Sequence, residues 1–320
     1  MATTGATSDA RPILKWAGGK RQLLPEIRRF YPPAFARYIE PFVGSGAVFL
    51  DLHNRGRLEG RPVTLADSNA DVIGCYQAVR DRVEDVIAAL RALEAGHQRD
   101  HAAHFYDVRD RRFNPLRRTQ VARGGAGPYP PDLAAMLIYL NRTGYNGLYR
   151  LNARGDFNVP LGRYTSPTIC DAENLRHVSA ALAHPRLRLQ AGTFDGVLAS
   201  AKAGDFIYVD PPYAPVSDTA RFTSYTALGF GPAEQERLRD LAVDLAGRGC
   251  WVLLSNSTAP EIRRLYAEDR RVRAAGLRAY KVPARRAINS RASARGPVME
   301  YLITNVPRNP TRSLPASGKV

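Results

Sequence analysis

Asp210-Pro211-Pro212-Tyr213 stands directly after the apolar run Phe206-Ile207-Tyr208-Val209. Proline fixes φ and lacks an N–H, so a strand ends there and the corner that follows is stiff, with carbonyls that have no ladder to enter. A carboxylate, a carbonyl and an aromatic ring are thereby presented together. That trio suits an exocyclic amino group on a flat ring: Asp210 and the Pro211 carbonyl can accept its two N–H donors while Tyr213 stacks on the ring. The plainer alternative is a rigid strand-to-loop turn.

Two glycine-bearing segments add to this. Glu40-Pro41-Phe42-Val43-Gly44-Ser45-Gly46 ends a short run of β-formers, and its glycines let backbone approach a ligand without a Cβ in the way. Asp67 follows about 20 residues later, the spacing at which an acid at the next strand end accepts from ribose hydroxyls. Gly46 is followed by Ala47, Val48 and Phe49. The third glycine of a dinucleotide fingerprint is therefore missing, and a nucleoside without a pyrophosphate fits better. In Lys15-Trp16-Ala17-Gly18-Gly19-Lys20-Arg21 a phosphate-binding P-loop is excluded, because Leu14 stands where its first glycine belongs and Arg21 where Ser or Thr belongs. Trp16 can stack on an adenine or a sulfonium, and Lys20 can pair with a carboxylate. A plain βα turn and a glycine-rich turn with a core tryptophan are the alternatives.

Cations gather in two places. Asn141 to Tyr164 holds Arg142, Arg150, Arg154 and Arg163 among Tyr145, Asn146, Tyr149 and Asn152. Arginine reads guanine O6/N7 with two bonds, and asparagine reads adenine or fills the gap left by a flipped base. Arg285, Arg286, Arg291 and Arg295, with Asn289 and Ser290, form a second basic loop suited to clamping phosphates, or a basic hairpin tip. The whole chain carries 46 Lys+Arg against 30 Asp+Glu, a net charge of +16. Such an excess points to a polyanionic partner, most often nucleic acid, or else to an Arg-rich composition. His97, His101 and His104 share helical spacing but have no carboxylate or cysteine companion, which favours a solvated helix face over a metal site. Phe222, Tyr225 and Phe230 either wall the pocket or anchor a loop.

The elements that must position these residues follow from patterning. Strands are expected at Arg37–Val43, Val63–Asp67, Leu187–Ala191, Phe206–Val209, Cys250–Leu254, Arg278–Val282 and Val298–Thr304. Helices are expected from Asn69 to about Leu93, from an Asp132 cap through Leu140, and from Gly231-Pro232 to Gly247. The breaker run Gly124–Pro131 reads as a loop, and Asn141–Tyr164 as too polar for core. The 320 residues, 44% hydrophobic, exclude a wholly disordered chain. No apolar run approaches a membrane span, and the first ten residues lack the features of a secretory signal. Three widely spaced cysteines exclude a disulfide framework and point to a reducing, cytoplasmic setting. The expected fold is α/β, an open doubly wound Rossmann-like sheet carrying an inserted, mainly helical domain. The expected division is a flexible leader at 1–10, a discontinuous catalytic domain at 11–75 and 167–306, the insert at 76–166, and a disordered tail at 307–320.

From Pro12 to about Asn305 the sequence resembles the Dam-type family of adenine-N6 DNA methyltransferases. The resemblance is carried by Leu14–Lys20, Glu40–Gly46, Leu65–Asn69, Asn141–Arg150, Phe157–Pro160 and Tyr208–Tyr213, in the family's order. The breaker-rich stretch from Asn114 to Pro131 is long for that family. The resemblance implies methyl transfer from S-adenosylmethionine to adenine N6 in double-stranded DNA, with the base flipped out and no metal required. It implies Asp210, Pro211, Pro212 and Tyr213 as the catalytic corner. Trp16, Lys20, Glu40, Phe42, Gly44, Gly46, Asp67 and Asp210 then serve the cofactor. Asn146 and Arg150 fall at the family's base-contacting positions; with Arg142, Arg163, Arg285, Arg286, Asn289 and Arg291, chosen by residue type and clustering, they make the expected DNA-binding set. GATC is the first expectation for the target, and a monomer or weak dimer for the assembly. The rival readings are methylation of cytosine N4 or of RNA adenine, and a DNA-binding regulator with an inactive cofactor fold.

Overall fold

The computed structural model describes residues 9–16, 18–124, 127–214, 230–284 and 298–308. Leader residues 1–8, tail residues 309–320, Phe222, Tyr225 and the basic loop with Arg285, Arg286, Asn289, Ser290, Arg291 and Arg295 lie outside the described residues.

Among the described residues seven strands form one mixed sheet, in keeping with the α/β alternation: β1 (Tyr38–Glu40), β2 (Val63–Asp67), β3 (Leu187–Ala191), β4 (Phe206–Val209), β5 (Trp251–Ser257), β6 (Arg278–Ala284) and β7 (Val298–Thr304). Their order is β3-β2-β1-β4-β5-β7-β6. β1 lies parallel to both β2 and β4, and β4 parallel to β5, while β7 runs antiparallel between β5 and β6. Strand order therefore reverses at the β1/β4 pair, where Tyr38 faces Phe206 and Ile39 faces Ile207. In open α/β sheets, ligands bind beyond the carboxyl ends of the strands at such a reversal. Glu40 ends β1 and Asp210 follows β4. All four residues of β4 are buried, which explains its unbroken apolar run.

Several elements differ from their sequence-based expectation. β5 runs on through Ser255, Asn256 and Ser257, because these buried polar residues pair with Leu302, Tyr301 and Glu300 of β7. Helix α1 (Ala47–Asn54) starts on Gly46, whose φ of 65° places it in the left-handed region that favours glycine. The helix expected over 69–93 is two: α2 (Ala70–Asp81), capped by the Asn69 side chain, and α3 (Val83–Arg99), separated by the extended φ of −141° at Arg82. Helix continues through α4 (His101–Tyr106), a π-helical stretch (Asp107–Phe113) and α5 (Asn114–Ala122). α6 spans Pro131–Thr143. Asp132 is not its cap. Pro131 takes the first helical position, where a missing N–H costs nothing, and Asp132 sits within the first turn. Leu133 to Asn141 are buried without a break, since α2 and α3 both pack on this helix. Asn141 and Thr143 are thus core residues, against the expectation that the segment from Asn141 is too polar for core. α7 (Ala172–Leu182), α8 (Phe194–Leu198) and α9 (Pro232–Gly247) complete the alternation.

By compactness the chain forms two units. Unit 1 comprises Met1–Gly19, Val43–Gly60 and Ala66–Gly192; unit 2 comprises Lys20–Phe42, Arg61–Leu65 and Thr193–Val320. The stretch 76–166, expected as an insert, falls wholly within unit 1, together with 167–192. Among the described residues no helix is long and apolar enough to cross a membrane.

Candidate active site

In unit 2 the chain leaves β4 at Val209 and turns at Asp210-Pro211-Pro212-Tyr213. Ser255 Oγ on β5 donates to Asp210 Oδ1 at 2.8 Å, and Lys20 Nζ lies 2.9 Å from the same oxygen. Lys20 is 4% exposed and Asp210 20% exposed. Ser255 has one proton, which goes to Asp210, so the Tyr208 hydroxyl 3.2 Å away donates to Ser255. Burial lifts the Asp210 carboxyl above the ordinary carboxylate range; Lys20 and Ser255 pull it back and Glu300 opposes them. Lys20 Nζ also stands 4.4 Å from the centre of the Tyr213 ring. The Tyr213 hydroxyl donates to Glu300 Oε2 at 2.8 Å. Gln235 Nε2 of α9 donates to the Pro212 carbonyl at 3.0 Å, so that bond does not compete for the Pro211 carbonyl. Glu40 is buried and accepts from the Tyr38 hydroxyl at 2.7 Å. The Phe42 ring stacks on Phe194 at 5.5 Å and meets Phe230 edge-on at 5.7 Å, which places Phe230 in an aromatic trio with both.

Unit 1 holds Trp16 and the glycine loop. Gly44 has φ 44°, and a Cβ there would lie 2.7 Å from Trp16 Cδ1 and 2.9 Å from Nε1. The indole therefore packs directly on loop backbone that only glycine allows. Asp67 holds the same loop: its Oδ2 accepts from the Gly44 amide at 3.0 Å and its Oδ1 from the Asn69 amide at 2.9 Å. Burial raises the Asp67 carboxyl, and the two amides lower it. Tyr76 donates to the Gly44 carbonyl at 2.8 Å. An acid at the second strand end thus fixes a glycine loop at the first.

The polar segment after α6 is more ordered than its composition suggests. Asn146 is in the left-handed region, with φ 54° and ψ 17°, the sole non-glycine with positive φ among the described residues. Arg150 is exposed, and Asn158 aims it: Nε donates to Asn158 Oδ1 at 2.7 Å and Nη2 to the Asn158 carbonyl at 3.2 Å. Arg163 is exposed. Arg142, expected with the DNA-facing cations, instead directs its guanidinium to the Ile13 carbonyl at 3.0 Å and the Pro12 carbonyl at 3.4 Å. Lys15 donates to the Arg142 carbonyl at 3.1 Å and sits 3.9 Å over the Tyr164 ring. His97 and His104 pack edge-on to Tyr139, with His97 Nδ1 3.0 Å from its hydroxyl, so this face is packed rather than simply solvated. Among the described residues no group of three or more His, Cys, Asp or Glu could hold a metal ion.

Sequence reasoning missed two sets of residues. Asp71, 4% exposed at the start of α2, accepts from Arg117 and from the hydroxyls of Tyr149 and Tyr129. The Tyr149 ring lies 6.0 Å from that of Trp16. Ser255 and Glu300 are the second set; the available signal was a polar residue inside an apolar strand, which burial makes informative.

The sequence profile described as "D12 class N6 adenine-specific DNA methyltransferase" matches residues 16–286. The chain is 37% identical over 298 residues to "Type II methyltransferase M1.LlaDCHI" of Lactococcus lactis subsp. cremoris, covering 92% of this chain and 95% of that protein. It is 36% identical over 310 residues to "Type II methyltransferase M.MjaIII" of Methanocaldococcus jannaschii, covering 93% and 99%. Against "DNA adenine methylase" of Escherichia coli (strain K12) it is 36% identical over 296 residues, covering 91% and 94%.

Proposed function

Because the chain belongs to the D12 class of N6 adenine-specific DNA methyltransferases, we propose that it methylates adenine N6 in duplex DNA with S-adenosylmethionine as donor, taking the base out of the stack to reach it. The observation that carries this reading is the Asp210 corner. A carboxylate with Lys20 and Ser255 both on Oδ1 is fixed in place beside a stiff carbonyl and a stacking ring.

The residues present suit the donor. Trp16 offers an aromatic face against glycine backbone, and Asp67 is an acid at the end of β2. To the donor we assign these two with Lys20, Glu40, Phe42, Gly44, Gly46 and Asp210. When bound, S-adenosylmethionine supplies an electrophilic methyl carried on sulfonium. The adenine amino group is a poor nucleophile, since its lone pair is delocalised into the ring. Asp210 and the Pro211 carbonyl accept its two N–H bonds and favour a pyramidal nitrogen. Tyr213 stacks on the ring and fixes its plane. Holding the reacting atoms about 3–3.5 Å apart supplies much of the rate. Asp210 removes no proton beforehand, because a carboxylate is far too weak a base for a neutral amine. After transfer the nitrogen is cationic and acidic, and its proton leaves to Asp210 or to water.

The stretch 76–166 is assigned to DNA. Asn146 and Arg150 read bases, and Arg163 holds phosphate. Arg142 braces the N-terminal segment through two main-chain carbonyls. The test incubates the full chain with methyl-labelled S-adenosylmethionine and duplex DNA, digests the product to nucleosides and maps the modified sites. N6-methyladenine supports the reading, and GATC is the first duplex to try. N4-methylcytosine, or label appearing in RNA alone, rejects it.

A further inference from the structure

β7 carries one acid, Glu300, in a run otherwise apolar or hydroxyl-bearing. It is 9% exposed, and its ladder neighbours are Ser257 of β5 and Val282 of β6. A carboxylate at such a place is unfavourable unless it is hydrogen-bonded. The Tyr213 hydroxyl supplies a bond at 2.8 Å. Stacking alone would need only a ring, so the hydroxyl and its buried acceptor require a separate reason.

The geometry supplies one. A tyrosine ring swings about its Cα–Cβ bond, and the hydroxyl is its far end. The near end is already fixed: Gln235 holds the Pro212 carbonyl at 3.0 Å, Asn256 holds Gln235 Oε1 at 3.0 Å, and Ser257 Oγ holds the Ala214 carbonyl at 2.8 Å. Glu300 fixes the far end. Lys20 Nζ, 4.4 Å from the ring centre, is also the partner of Asp210. Displacing the ring therefore disturbs the cation that holds the carboxylate.

We propose that Glu300 is a positioning residue: its carboxylate anchors the far end of Tyr213 and so keeps the stacking ring and the Lys20–Asp210 pair in one geometry. It touches no substrate. This rests on reading residues 210–213 as the corner that receives the target base.

The test is a double-mutant cycle with kinetics and donor binding for Glu300→Ala, Glu300→Gln, Tyr213→Phe and the Tyr213→Phe/Glu300→Ala double. Small misplacements of reacting groups have large rate effects, so kcat falls about tenfold in Glu300→Ala and in Tyr213→Phe, while the donor Kd stays within about threefold. The double is no slower than the slower single, since both remove one bond. Glu300→Gln, whose amide oxygen still accepts, stays within about threefold of the wild type. Multiplied effects in the double, or an unchanged kcat in Glu300→Ala, overturn the proposal. Should the alanine variant fail to fold, Glu300→Gln is placed in the Tyr213→Phe background, where any further loss of kcat overturns it. Carbon-13 tyrosine NMR gives a readout without turnover: the resonance absent from Tyr213→Phe shifts in a Glu300 variant, and an unmoved resonance in Glu300→Ala overturns the anchor. A wild-type chain that methylates no DNA defeats the parent reading; an active wild type indifferent to Glu300 defeats this one alone.

Discussion

Lys20 Nζ and Asp210 Oδ1 stand 2.9 Å apart with both side chains largely out of water. Removing one member of such a pair leaves the other charge buried and uncompensated. Burial already raises the Asp210 carboxyl, and Lys20 is first among the groups that pull it back. In Lys20→Met that pull is gone. We expect the acid limb of the kcat profile to move to higher pH. Rate measurements across pH in wild type and variant check this; coincident acid limbs would separate Lys20 from the chemistry.

The wild-type profile has its own expected shape. On the proposed mechanism Asp210 accepts the amino hydrogens as a carboxylate, and burial raises its carboxyl above the ordinary value. Activity is therefore full at higher pH and is lost as pH falls through a value above that of a free aspartate. Asp210→Asn turns an acceptor pair into a mixed donor and acceptor. We expect kcat to fall about 10²–10³-fold, the scale of losing one aligned polar group at a reacting centre. Single-turnover transfer at a series of pH values tests both parts, and near-normal turnover would refute the mechanism.

Gly44 and Gly46 differ in what a side chain would meet. At Gly44 a Cβ would lie 2.7 Å from Trp16 Cδ1 at φ 44°; at Gly46 the nearest heavy atom is 3.6 Å away at φ 65°. Gly46→Ala meets backbone strain alone, about 1–3 kcal/mol. Gly44→Ala adds a collision with the indole. We expect donor Kd to rise at least tenfold in Gly44→Ala and several-fold less in Gly46→Ala, read by calorimetry. Equal effects would show that the indole contact is idle.

These two loops were legible because their signals are local. Prolines end a strand, glycines mark a close turn, and an unbroken apolar run such as Phe206–Val209 marks a strand covered on both faces. The Asp71 and Glu300 networks were not legible, since their partners are distant in sequence. Arg117 lies 46 residues from Asp71 and Tyr149 lies 78 from it, while Tyr213 and Glu300 are 87 apart. Periodicity states which face of an element is buried and says nothing of which remote polar groups meet there. Arg142 shows the same limit: its segment has the composition of a DNA-reading loop, and composition does not reveal the Ile13 carbonyl, 129 residues away, that its guanidinium meets. The break between α2 and α3 at Arg82 carries no glycine or proline to announce it.

Arg150 and Asn158 make a graded pair for specificity. Asn158 Oδ1 receives Arg150 Nε at 2.7 Å and so aims an exposed guanidinium. If Arg150 reads a base, Arg150→Ala relaxes preference at one base pair by about 1–3 kcal/mol. Asn158→Ala leaves the guanidinium but frees its direction, and relaxes the same position less. Methylation of randomised duplexes gives the profile for each. Loss spread evenly over all sequences in Arg150→Ala would mark a phosphate contact instead.

The Asp71 network is expected to matter most for stability. Its carboxylate receives Arg117, 13% exposed, together with the hydroxyls of Tyr149 and Tyr129. Asp71→Ala leaves a largely buried guanidinium without its acid and two hydroxyls without an acceptor. A cost of about 3–5 kcal/mol follows from the stranded charge. Tyr149→Phe removes one bond from a carboxylate that keeps two others, and costs about 1–2 kcal/mol. The Phe ring still lies beside Trp16, so donor binding in that variant stays near wild type. Denaturant midpoints and donor calorimetry on the two variants check the ordering. A Tyr149→Phe chain that kept its stability and lost the donor would reverse the assignment, moving the hydroxyl from the scaffold to the site.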